Sequence, residues 1–118
     1  MTSSEIEIHP KGWGFEKWIV NCPQYCGKIL HFNEGKKCSW HYHKIKDEVF
    51  YLQSGKLILR YSDGDDLFSA TTVILSPGDK FHIYTGLRHQ MEAIEDSDLI
   101  EFSTQHFEED SYRIQRGD

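Results

Sequence analysis

His41 and His43, two residues apart, and a carboxylate at Glu48 are the side chains of this sequence best suited to chemistry. Imidazole nitrogens and a carboxylate together suit a divalent transition metal, and such a set with open coordination positions lets water or substrate reach the ion. The stretch reads GKKCSWHYHKIKDEVFYLQSG, from Gly35 to Gly55. Side chains alternate faces along a strand, so His41 and His43 project together while Trp40 and Tyr42 face the other way. Gly35 and Gly55 bracket the ligands as turn residues, and the unit reads as two strands joined near residues 44–47.

The spacing Gly35-x5-His41-x-His43-x4-Glu48-x6-Gly55 resembles the first motif of the cupin superfamily. A second stretch, from Gly78-Asp79 through Gly86-Leu87-Arg88-His89, is similar to that superfamily's second motif, with Tyr84 where proline is usual and Ala93 where asparagine is usual. The resemblance implies an all-β fold, a cupin-type double-stranded β-helix or jelly-roll barrel. It also implies one divalent transition metal ion (Zn, Fe, Mn, Ni or Co) held by His41, His43, Glu48 and His89. Four protein ligands leave one or two positions open on a five- or six-coordinate ion. Binding is expected to weaken as pH falls through the imidazole range near roughly 6.5. His9, His31 and His106 have no partner pattern and read as surface residues. Phe50, Leu52 and Met91 are expected to make the interior aromatic and aliphatic.

The elements that must position these residues read as short strands. Residues 5–9 alternate Glu-Ile-Glu-Ile-His, and Pro10 ends or edges that strand. Residues 16–20, 27–32, 38–43, 48–53, 56–61, 67–75, 80–84, 90–94 and 99–104 follow, with turn signals at Asn33-Glu34-Gly35, Ser62-Asp63-Gly64-Asp65 and Ser76-Pro77-Gly78-Asp79. Glu48, Phe50 and Leu52 share one face, so the ligand strand also lines the interior. This rhythm, without a helical stripe, is that of a β-sandwich or barrel. The tail, residues 107–118, reads as a short helical turn or an ordered arm.

At 118 residues the chain has room for a single domain, 1–118. Thirteen basic against 19 acidic residues give a net charge of −6, which with no Lys/Arg cluster argues against a nucleic-acid surface. No apolar run approaches the ~18 residues of a membrane span. The opening MTSSEIEIHPKGWG lacks the basic-then-apolar order of an export signal, and Cys22, Cys26 and Cys38 leave one unpaired under any scheme. A cytoplasmic protein with free thiols is expected. Open sandwiches have edges to protect, so a homodimer paired through the N-terminal strand is expected too.

Outside the two motifs, Lys11-Gly12-Trp13-Gly14 resembles the Arg-Pro-Trp-Gly that opens the isomerase domain of type II mannose-6-phosphate isomerases. Leu99-Ile100-Glu101-Phe102, followed by Phe107-Glu108-Glu109-Asp110 and Arg113, is similar to that family's closing segment. The family's gap between the second histidine and the glutamate is one residue shorter, and its closing Tyr-Gly-Arg is Arg116-Gly117-Asp118 here. The resemblance implies a sugar or sugar-phosphate isomerase acting on a small-molecule substrate, with Glu48 as ligand, base or both. Lys11, His82 and Arg113 are the candidate substrate contacts, Lys11 and Arg113 for an anionic group at the barrel mouth. A metal-dependent dioxygenase and a non-catalytic sugar-binding module are the other classes open to such a site. Trp13 reads as a core aromatic.

Overall fold

The structure is a computed structural model that describes residues 5–118; residues 1–4, part of the stretch read for an export signal, lie outside it. Among the described residues nine strands form: β1 Glu7–Lys11, β2 Gly14–Asn21, β3 Cys26–Phe32, β4 Trp40–Tyr42, β5 Glu48–Ser62, β6 Thr71–Leu75, β7 Lys80–Ile83, β8 Arg88–Ser103 and β9 Tyr112–Gln115. The only helical pieces among the described residues are two 3-10 turns, Leu67–Ser69 and Glu108–Asp110, so the all-β expectation holds. Among the described residues no helix is long and apolar enough to cross a membrane.

Every pairing is antiparallel, and the sheet curls on itself into a half-barrel around β8. One side of β8 pairs with β5 along nearly its whole length. The other side pairs with β3 from Ser97 to Ser103 and with β4 at His89. β1 and β2 extend the β3 side, β9 extends β4, and β6 and β7 cover successive halves of β5. Strict alternation builds the core: in β3, Cys26, Lys28, Leu30 and Phe32 are buried while Gly27, Ile29 and His31 are half-exposed. The inner face carries Leu30, Phe32, Phe50, Leu52, Leu57, Leu59, Met91 and Leu99, the apolar area that drives the sheet to close. Cys22, Cys26 and Cys38 are buried free thiols.

Three expectations need correction. Residues 44–47 do not close a hairpin, because β4 pairs with β8 and β9 while β5 pairs with β6, β7 and β8. Gly55 is no strand-ending turn: β5 runs through it as one 15-residue strand with an irregular register at Ser54–Leu57. Gly55 has φ 92, and a Cβ there would lie 2.2 Å from Ser97 Oγ, so glycine marks a bulge and a close approach. Likewise, residues 90–94 and 99–104 belong to one strand, β8. Gly14 also owes its place to crowding, since a Cβ there would meet the His31 carbonyl oxygen at 1.9 Å. The tail resolves into both readings offered for it, a 3-10 turn followed by β9.

Candidate metal centre

His41 lies in the middle of β4, His43 one residue beyond that strand, and His89 at the start of β8 directly opposite His41. One ring nitrogen from each of the three lies within 4.8 Å of the others. The other ring nitrogen is committed to the backbone in all three cases. Nδ1 of His41 donates to the Ser39 carbonyl at 2.8 Å, that of His43 to the Asp110 carbonyl at 2.9 Å, and that of His89 to the Leu87 carbonyl at 2.9 Å. A carbonyl oxygen only accepts, so each Nδ1 carries the proton and each Nε2 keeps a bare lone pair. This second layer of hydrogen bonds is how metal-binding histidines are oriented.

Glu48 opens β5, and its Oε2 sits 3.4 Å from Nε2 of both His43 and His89. That oxygen is buried and has no hydrogen-bond partner among the described residues. A carboxylate oxygen facing bare imidazole nitrogens is electrostatically unfavourable unless a cation or a proton lies between them. Ligands at about 2.0–2.2 Å from one ion, at tetrahedral to octahedral angles, stand about 3.0–3.5 Å apart, so the observed spacing fits an ion. The chain therefore carries a three-histidine cluster able to hold a metal ion, with Glu48 beside it.

Burial lowers the histidines' basicity. Desolvation, with the charge of His43, brings His41 to about 3, and desolvation with Lys46 brings His43 to about 4. Desolvation and the neighbouring His41 lower His89 as well. The rings thus stay neutral well below the usual imidazole range, so a weakening of metal binding near pH 6.5 falls to the Glu48 carboxyl, which burial and Glu101 raise, and not to the histidines. A second consequence concerns the metal-free protein. Below about pH 6.5 the unfolded chain takes up protons that the folded histidines refuse, so folding stability falls with pH by about 1.4 kcal/mol per pH unit for each such group. Glu48 works the other way, because burial and then Glu101 raise its carboxyl, and it offsets one histidine. His106, brought to about 3, is a fourth such histidine, so chelated protein should lose roughly 20 °C in Tm between pH 6.5 and pH 5; a flat Tm in that window would contradict this.

The cluster forms one wall of a cavity of about 630 Å³. Its interior is not simply apolar, as the sequence suggested, because a buried charge network shares it. Lys46 Nζ lies 3.0 Å from Glu101 Oε2, 3.5 Å from Glu48 Oε1 and 3.3 Å from His106 Nδ1. Burial opposes the Lys46 charge, and the Glu101 and Glu48 carboxylates outweigh it, so the ammonium is held protonated. Lys46 and Lys28 in turn hold Glu101 well below the usual carboxylate range, against the effect of burial. Lys28 is 3.5 Å from Glu16 and lies over the Trp18 ring.

Asp110 locks the segment that places these groups. Its carboxylate accepts from the backbone N–H groups of Lys44, Ile45 and Lys46 at 2.9–3.2 Å, while its carbonyl orients His43. The C-terminal arm is thus part of the site. Sequence reading registered Asp110 only as one of an acidic stretch, because nothing local tells a buried anchor from a solvated charge.

Of the candidate substrate contacts, Lys11 and Arg113 line the cavity and His82 does not. His82 is exposed on the outer face, paired with Asp47 at 2.9 Å, because at its place in β7 the alternation turns it away from Ile83 and the core. Trp13 is buried, stacked on Phe32 at 4.2 Å, as a core aromatic that also borders the cavity. His9 stacks on Trp18, and His31 pairs with Asp98 on the outer side of β3. His106, read as a surface residue, lines the cavity.

A family model described as Cupin domain matches residues 28–103. Among curated proteins none matches the chain by sequence. Among solved structures, the capsular polysaccharide assembling protein CapF from Staphylococcus aureus superposes with a TM-score of 0.81 at 20% identity, over 96% of this chain and 35% of that one. Oxalate decarboxylase from Bacillus subtilis superposes with a TM-score of 0.81 at 16% identity, over 96% of this chain and 31% of that one. The chain spans about a third of the length of these structures, and the likeness is one of fold.

Proposed function

The chain belongs to the cupin family, and from that premise we propose that it is a metal-dependent isomerase of a sugar or sugar phosphate. One divalent transition ion is held by His41, His43, His89 and Glu48. The observation that carries this is the orphaned Glu48 Oε2 facing Nε2 atoms whose protons sit on the far side of each ring. Histidine and carboxylate ligands suit Zn, Fe, Ni, Co and Mn, the last being the ion whose Mn(II) centres are described for Bacillus subtilis oxalate decarboxylase. A bound ion supplies Lewis-acid stabilisation for adjacent oxygens of an open-chain sugar.

The protein's own residues do the rest. Lys11, Arg113 and Arg116 line the cavity without an ion partner among the described residues, and they favour a substrate with an anionic end. Glu48 divides its work: Oε2 faces the histidines, while Oε1 faces Lys46 at 3.5 Å and takes a proton from one sugar carbon and returns it to the next. Lys46 favours the ionised carboxylate between transfers. A homodimer joined along β1 belongs to the same proposal, since among the described residues β1 pairs only with β2 and its outer edge is open.

The test is metal analysis of protein purified without added metal, followed by a panel of aldose and ketose phosphates. One equivalent of metal and reversible aldose–ketose conversion, lost on chelation, are expected. Oxygen consumption in place of isomerisation, or tight binding without turnover, would point to a dioxygenase or a binding module instead.

A further inference from the structure

His106 sits in the irregular stretch between β8 and the second 3-10 turn, where no strand pairing holds it. It is nevertheless fixed. Its backbone N–H donates to Asn21 Oδ1 at 2.8 Å, and its carbonyl accepts from Asn21 Nδ2 at 3.0 Å. One amide side chain, 85 residues away in sequence, thereby clamps both main-chain groups. The ring stands edge-on to Trp18 at 5.0 Å, and both residues line the cavity that holds the three-histidine cluster.

The protonation of the ring follows from its neighbour. Lys46 is a protonated ammonium between two carboxylates and has donors only. At 3.3 Å it must donate to His106 Nδ1, so Nδ1 carries a lone pair and Nε2 carries the proton. This is the opposite tautomer to that of His41, His43 and His89, whose Nδ1 atoms carry the proton. Nε2 has no hydrogen-bond acceptor among the described residues; Glu108 Oε1, mostly exposed, is 3.9 Å away. Burial, then the charges of Lys28 and Lys46, bring the ring to about 3, against the opposing pull of Glu101, so it is neutral at ordinary pH.

We propose that His106 is a catalytic residue that presents its neutral Nε2–H to an oxygen of the sugar held in the cavity. The inference rests on the isomerase reading above. As an open-chain sugar passes to its enediolate, negative charge grows on the oxygens next to the carbon that loses its proton. A fixed donor aimed at such an oxygen stabilises that state more than the ground state. A neutral imidazole can donate there without surrendering its proton. Lys46 thus has two parts, favouring the ionised Glu48 and setting the tautomer of His106.

Two substitutions separate this role from a structural one. His106→Asn keeps an acceptor for Lys46 but removes the Nε2 donor, whereas His106→Gln restores a donor near the Nε2 position. On the aldose phosphate the wild type turns over, His106→Asn should lose about 100-fold in kcat with metal content unchanged. His106→Gln should recover most of that loss. Histidine 15N spectra of the full chain should show His106 with bare Nδ1 and protonated Nε2 between pH 8 and pH 5. An Nδ1–H or charged ring at pH 7 overturns the inference, as does an unchanged kcat in His106→Asn. Equal kcat losses in both variants, with lowered Tm, show a structural role only and also overturn it. A wild type inactive on the whole panel removes the isomerase reading and this role together, whereas an active wild type beside an unaffected His106→Asn removes the role alone.

Discussion

His89→Ala should lower metal affinity by at least about 100-fold while leaving the protein folded. Loss of an outer hydrogen-bond partner of a metal ligand already costs about 10–100-fold, so loss of the ligand itself sets a higher floor. His89 is the member of the cluster most completely withdrawn from water, 1% exposed, and it sits on β8 between His41 of β4 and Tyr61 of β5. Backbone pairing on both sides holds the strand when the ring is removed, so the effect falls on the ion more than on the fold. His31→Ala is the matched control, because His31 faces outward and pairs with Asp98 at 2.7 Å. Equilibrium dialysis against zinc, manganese or cobalt should show tight stoichiometric binding for wild type and His31→Ala, and weak binding for His89→Ala. Undiminished binding by His89→Ala would remove this residue from the ligand set.

Lys46→Met should cost about 3–5 kcal/mol of folding stability in the metal-free protein. The substitution keeps much of the side-chain volume and removes the charge. It leaves Glu101, 3% exposed, as a buried carboxylate without its nearest cation, and removes the ammonium that also faces Glu48. One partner stripped from a buried pair costs far more than the pair contributes, because the remaining charge keeps its desolvation penalty. A divalent ion beside Glu48 supplies part of the missing positive charge, so the loss should shrink when metal is restored. Urea unfolding with and without chelator measures both quantities. A loss below about 1 kcal/mol in chelated protein would show that the Lys46 network does not support the fold in this way.

The parts of this site legible in the sequence are those that local rules govern. His41 and His43 share a face by strand alternation, the resemblance to the two cupin motifs brings in Glu48 and His89, and the register of β4 on β8 sets His89 opposite His41. What escaped reading depends on distant partners. Lys46 stands inside the first motif but looks like any lysine in a polar connection until Glu101 of β8 comes beside it. Asp110 and His106 follow β8 with no periodic neighbours, and their roles exist only because residues 44–46 and Asn21 meet them. Gly55 signalled a positive φ correctly, but that signal serves a bulge as well as a turn. Only the pairing of β5 with β8 decides between them. His82 failed for a local reason: Ile83 is the buried member of that alternation, so its neighbour faces solvent.

The proposed metal centre puts an ion between Glu48 and the three histidines. The most direct measurement is anomalous diffraction from crystals of protein never exposed to chelator, collected on both sides of the absorption edge of the metal found by elemental analysis. One strong peak is expected at about 2.0–2.3 Å from Nε2 of His41, His43 and His89 and from a Glu48 carboxylate oxygen. A map without a peak there, with Glu48 Oε2 instead accepting hydrogen bonds from ordered water, would contradict it.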